Sequence, residues 1–267
     1  MIDHNVAAAI FTPLDSVIHE RIGDRVRLHI NEGAWVAVHA DTKKLHGVRI
    51  IEIVLAKEAQ LQLFHEHDLE DAAYALTIHV TVHEQSVLHY YALYTASGFF
   101  DLVFDVRGPG AQVLCNGGYV LTENQKLKLT TKQLHEAPYS QSELIMKGAL
   151  SGSAKATYNG AIYIGHKAHQ TNAGQTNANL LLSPQACAES IPSLEVLTND
   201  VQCRHGSAVG QLDEDQLLYM CARGMNPQQA RSLLLNGYLS DIFLKIEDVA
   251  MRQRIIERIK VWCNGLR

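Results

Sequence analysis

"LTIHVTVH" (76–83) alternates without interruption: Leu76, Ile78, Val80 and Val82 fall on one side of an extended chain, and Thr77, His79, Thr81 and His83 on the other. A period of two over eight residues, rich in β-branched side chains, specifies a strand with one apolar and one polar face. The same texture extends both ways. "GVRIIEIVLA", "AQLQLFHE", "SVLHYYALYTA" and "FFDLVFDV" are short apolar or alternating runs, and "AQVLCNGGYVLTE", "KLKLTTKQLHE", "SELIMKGALSG" and "ATYNGAIYIG" continue them. Breaks fall at "RGPG" (107–110), "NGG" (116–118) and "SGSA" (151–154), where glycine, proline and serine favour turns. From about Gly47 to Leu212 no segment of 3.6-residue period intervenes. A sandwich, a propeller and a solenoid could each hold such a chain. Strands recur every ~11–14 residues, so two or three per coil would give the ~20–50-residue period of a solenoid.

The last quarter changes period. Asp213 is a good N-cap, Gln216 three residues on completes a capping-box pattern in "DEDQ", and Gly224 suits a left-handed C-terminal stop. Asn226 and Pro227 begin a second helix along "NPQQARSLLLNGYLSDIF", whose Leu234, Tyr238 and Ile242 share a face. A third, "EDVAMRQRIIERIKVWCNGL", starts on acids and ends at Gly265. The chain thus divides into an N-terminal segment (1–46), a β core (47–212) and a helical domain (213–267).

Of the 267 residues, 47% are hydrophobic and 19% charged, as in ordinary globular proteins, and the net charge of -5 disfavours nucleic-acid binding. No apolar run reaches the ~20 residues of a membrane span, and the N-terminus lacks the basic start of a secretory signal. Five cysteines, odd in number and without a CxxC, fit reduced thiols and a cytoplasmic location. There is no GxSxG elbow, P-loop or HExxH, so no catalytic residue is assigned. A polysaccharide-acting enzyme is disfavoured by the missing secretion signal and acid cluster.

Cys203 and His205 carry the chemistry that remains. At i and i+2 on a strand they point the same way and could offer a thiolate and an imidazole to one metal ion. Two donors are half a tetrahedral set, so the remainder must come from elsewhere. The bland alternative is a small buried thiol beside a turn histidine. "HEHD" (65–68) repeats the spacing with His65 and His67, but without a third donor it reads as a solvated sheet face. So do His79 and His83.

"AHQTNAGQTNANLLLSPQACAESIPSLEVLTNDVQCRHGSAVGQLDEDQLLYMCARGMNPQQA" (168–230) closely resembles the C-terminal core of the SufB/SufD family, scaffold subunits of the SUF iron–sulphur cluster assembly machinery. "HEAPYSQSELIMKGALSGSAKATYNGAIYIG" (135–165) is similar to the family too, which makes His135 a minor site candidate. The resemblance implies a right-handed parallel β-helix followed by a C-terminal α-helical domain. It implies pairing of the core with a SufB-like paralogue or with a second copy, and docking of a SufC-type ABC ATPase on the helical region. It further implies that His205, with Cys203 beside it, holds iron or a nascent cluster transiently, shared with a partner's cysteine, while ATP hydrolysis stays with the partner. "CRHGSAVG" is SufD-like. Where SufB-like chains carry a sulphur-accepting cysteine, this chain has Asn177, and fewer residues precede the β-helix than is usual. A self-associating structural paralogue that has lost cluster chemistry is the rival expectation.

Overall fold

The computed structural model describes residues 16–69, 71 and 73–265. Two sheets, eight- and seven-stranded among the described residues, stack as a solenoid in which the chain alternates from one sheet to the other. The first holds β1 (Val17–Ile22), β2 (Arg25–Ile30), β4 (Ile50–Leu55), β6 (Ala75–Val82), β8 (Gly98–Val106), β10 (Lys126–His135), β12 (Lys155–Ile164) and β14 (Cys187–Val196). The second holds β3 (Trp35–Asp41), β5 (Gln60–His67), β7 (Val87–Tyr94), β9 (Gln112–Leu121), β11 (Gln141–Leu150), β13 (Thr171–Leu181) and β15 (Val201–Gly210). Every neighbouring pair is parallel except β1–β2, which is antiparallel. The expected β-helix with C-terminal helices is therefore the fold.

The alternation read at Leu76–Val82 explains the stacking. Leu76, Ile78, Val80 and Val82 face the lumen, and the register sets Ile51, Ile53 and Leu55 of one coil and Leu102, Phe104 and Val106 of the next beside them. The expected start at Gly47 is too late, since β1 to β3 lie within 17–41. Arg25 and Arg27 point outward on β2, but Val26, Leu28, Ile30, Val36 and Val38 already line the core. The first fifteen residues of that predicted segment lie outside the described ones.

One corner of each coil is tied to the next. A residue with left-handed backbone, Glu58, Gln85, Gly110, Tyr139 or Gln170, donates its N–H to the following corner. Glu58 reaches the Glu84 carbonyl at 2.9 Å, Gln85 reaches Pro109 at 3.0 Å and Tyr139 reaches His169 at 3.0 Å. Positive φ at a non-glycine residue costs roughly 1–2 kcal/mol, and these cross-coil bonds help to offset it.

Helices α1 (Glu214–Ala222), α2 (Pro227–Ser240) and α3 (Val249–Gly265) follow. Asp213 caps α1 by accepting from the N–H groups of Asp215 and Gln216, and Gly224 takes φ +95° after it. The full reciprocal box, expected at Asp213, forms instead one helix later, between Asn226 and Gln229. A second core forms where α2, the short 3-10 turn Asp241–Phe243 and α3 cover the outer face of the second sheet. Leu235, Leu239, Phe243, Ile255 and Ile259 pack there on Phe64, Tyr91 and Leu93. Gly118 admits Phe243: a Cβ on it would stand 3.3 Å from the ring. Lys147 fixes the seam, with Nζ 2.6 Å from Asp241 Oδ2 and 4.7 Å from the centre of the Tyr238 ring. Among the described residues no helix is long and apolar enough to cross a membrane.

Candidate functional site at the open end of the solenoid

β14 and β15 are the outermost strands at the C-terminal end of their sheets. On β15, Val201 and Cys203 pack on the small luminal cluster of Ile162, Ile164 and Ala173, so this strand parity faces inward. His205, Ser207 and Val209 share that parity and stand over Gln175, Asn177 and Asn179 of the preceding coil. Because no further coil of the described residues covers them, His205 and Val209 are exposed and Cys203 is half-buried. The sequence placed Cys203 and His205 on one side of an extended segment, and the strand does so, at the rim of the lumen. The alternative of a turn histidine does not hold for His205, which lies within β15.

Burial raises the Cys203 thiol pKa above its ordinary value, so a metal there must displace a proton. Among the described residues no three His, Cys, Asp or Glu side chains gather as a ready-made metal site. Cys203 and His205 therefore bring at most two donors to an ion at the rim.

Beneath them the lumen is polar. Asn177, which the sequence resemblance sets against the cysteine of SufB-like chains, is 1% exposed. Its Nδ2 donates to Tyr119 Oη at 3.0 Å and to the Met146 carbonyl at 3.3 Å, and its Oδ1 accepts from Asn179 at 2.8 Å. The Tyr119 hydroxyl donates in turn to Asn179 Oδ1. Gly148 makes room, since a Cβ there would lie 2.1 Å from the Tyr119 ring. Asn177 thus anchors an amide–phenol network and supplies no nucleophile.

The other histidine expectations divide. His135 is fully buried, its ring nitrogens 2.7 Å from Ser140 Oγ and 2.8 Å from Ser142 Oγ, and burial lowers its pKa to about 4. It packs inside the lumen and is not exposed at the rim. The solvated face expected for "HEHD" is wrong: His65, Glu66 and His67 are all buried. His65 and His67 point into an aromatic lumen, where His65 Nδ1 lies 2.8 Å from Tyr90 Oη and His67 Nε2 donates to the Ser97 carbonyl at 2.8 Å. Glu66 points outward but under α3, where it meets Arg254 and Arg258. Only His79 and His83 keep some access to solvent, as expected.

Residues 20–238 match the family described as "SUF system FeS cluster assembly, SufBD core domain". The chain is 28% identical over 217 residues to Protein ABCI7, chloroplastic, of Arabidopsis thaliana, covering 79% of this chain and 45% of that protein. It is 27% identical over 154 residues to the iron–sulphur cluster assembly protein SufD of Escherichia coli (strain K12), covering 58% of this chain and 36% of that one. Against the protein SufB of Bacillus subtilis (strain 168) the identity is 21% over 221 residues, covering 82% and 47%. The chain spans about half the length, or less, of these relatives. With a family match over most of its length, a parallel solenoid and a SufD-like "CRHG" on its last strand, the chain belongs to the SufB/SufD family of SUF iron–sulphur cluster assembly proteins.

Proposed function

We propose that this chain is a non-catalytic, SufD-like scaffold subunit that pairs through the open end of its solenoid and docks a SufC-type ATPase through its helices. The observation that carries the reading is that open end. Edge strands in stable proteins are usually shortened, charged or covered. Here two ten-residue edge strands, β14 and β15, present exposed Leu194, Val196 and Val209 on the same luminal side as Cys203 and His205. A partner coil, from a SufB-like paralogue or a second copy, would complete the stack and bring the missing metal donors. His205, with Cys203, would then hold iron or a nascent cluster at the junction as cargo. Docking on the helices is supported by α1, which buries none of its nine residues and, with α2, exposes Leu218, Tyr219 and Leu233. Movement of the bound ATPase would open the junction, and the machinery would work in the cytoplasm.

Asn177 supports a second reading, a self-associating structural paralogue, since it replaces the thiolate that cluster building would use. One experiment separates the two. The chain is mixed with the SufB-type and SufC-type proteins of its organism, and the complex mass is measured by size exclusion with light scattering. A defined complex with both is expected, and Val209→Lys should abolish core pairing while ATPase binding persists. His205→Ala should leave the complex intact and weaken iron retention after anaerobic reconstitution by about 10–100-fold. A homodimer that binds neither protein would select the structural paralogue.

A further inference from the structure

The outer face of the second sheet carries a groove well apart from the rim. The helical layer covers only the later part of each strand, where Phe64, Tyr91 and Leu93 lie. The earlier positions stay open and stack in register: Trp35, Gln60, Val87, Gln112, Gln141 and Asn172 form one row across the coils. Gln62, His89, Leu114 and Glu143 form the next. Two hollows run along these rows and share Val87 and His89. The inner one, about 20 Å³, is bounded by Trp35, Gln60, Gln62 and, from the loop before α3, Glu247. The outer one, about 210 Å³, extends past Gln112 and Gln141 to Glu143.

Gln62 marks this groove as more than a wetted surface. The residue is only 3% exposed, yet among the described residues its Nε2 has no hydrogen-bond partner. A buried orphan donor costs roughly 1–3 kcal/mol, and one in a native fold calls for an explanation.

We propose that the groove binds a neutral hydroxylated ring, a sugar, with one hydroxyl in the inner hollow against Gln62. The donor and acceptor set selects this class. Gln62 offers an N–H and Glu247 a carboxylate, and a hydroxyl can accept from the first while donating to the second. An ammonium group cannot accept from Gln62. A phosphate or carboxylate in the inner hollow would face Glu247, whereas Glu143 of the outer hollow is already paired with Arg204. The inner hollow has room for one hydroxyl-sized group. Trp35, 48% exposed, offers an apolar ring for the C–H face of a sugar, and burial lowers the pKa of His89, which keeps a neutral imidazole between the hollows. The amides of Gln112 and Gln141, one coil apart at ~4.8 Å, suit successive hydroxyls.

The test uses the whole chain and a panel of lactose, maltose, cellobiose and trehalose, with glucose 6-phosphate and glucosamine as charged controls. Binding is followed by saturation-transfer NMR and by tryptophan fluorescence in a Trp262→Phe background, which leaves Trp35 as reporter. At least one neutral disaccharide should give a saturable response, with both charged controls weaker by about tenfold or more. Gln62→Leu should weaken binding by about tenfold while the melting temperature holds or rises, because the variant removes the orphan amide. Trp35→Ala should abolish binding by NMR, and His205→Ala should leave it unchanged. No saturable response to any of the four sugars, or equal binding by Gln62→Leu, would overturn the proposal.

Discussion

Arg258→Ala should destabilise the protein by about 3–5 kcal/mol, the cost of leaving a buried charge without its partner. Glu66 keeps only 3% of its side chain exposed, and Arg258 bonds its Oε1. Arg254 lies 3.3 Å from Oε2 but is 55% exposed, so it offers a longer and better-solvated contact. His39 Nε2, 3.1 Å from Oε2, donates a hydrogen bond from a ring that burial keeps neutral, its pKa lowered to about 4. His39 therefore supplies no compensating charge. Asp68 also loses Arg258 but keeps Lys43 at 2.7 Å. The double variant Glu66→Leu/Arg258→Leu should recover most of the loss, because an apolar pair removes the desolvation cost with the attraction. Urea unfolding of both singles and the double reads this directly. A loss below about 1 kcal/mol for Arg258→Ala would mean that Glu66 finds water or Arg254 instead.

Mild acid should unfold the protein steeply, before most carboxylates titrate. Burial lowers the pKa of His65 to about 3 and those of His135 and His39 to about 4, against an ordinary value of 6.5. The unfolded chain therefore takes up protons first as the pH falls. The stability these neutral rings carry is complete above about pH 6.5 and is lost progressively towards pH 4. Each such histidine contributes a slope of about 1.4 kcal/mol per pH unit well below 6.5, so three together approach about 4 kcal/mol per unit. Denaturant midpoints between pH 7 and 5 measure the slope. His135→Gln should reduce it by about a third, whatever it does to stability at pH 7. A flat profile across that range would show that these rings are charged in the native state.

Strand bodies were legible because period two survives wherever one face is core: Leu76–Val82 could be read without a neighbour. Helix caps were legible because Asp213, Asn226 and Gly224 act on groups within three residues of themselves. The rim pair was legible for the same reason, as Cys203 and His205 share a side by local geometry alone. What failed was set by distant chain. Polar residues at 65–67 look solvated until Tyr90, Tyr94 and Phe100 surround His65 from later coils and Arg258 reaches Glu66 from 192 residues away. The groove beside Trp35 was invisible because its rows exist only once corner lengths bring Gln60, Gln112 and Gln141 into register.

The contact between Glu66 and α3 also sets the order of events as the chain is made. Coils bond to neighbours about 25–31 residues along, as Lys43 does to Asp68 and Ser140 to Thr171, so each can add to the stack soon after it is synthesised. Glu66 and the apolar row beside it must wait for a helix 192 residues downstream. At ~5–20 residues per second on the ribosome, that interval is roughly 10–40 s. Until then Phe64, Tyr91 and Leu93 stand uncovered on a growing stack, and a nascent-chain chaperone that shields this one stripe would protect it until the helices emerge.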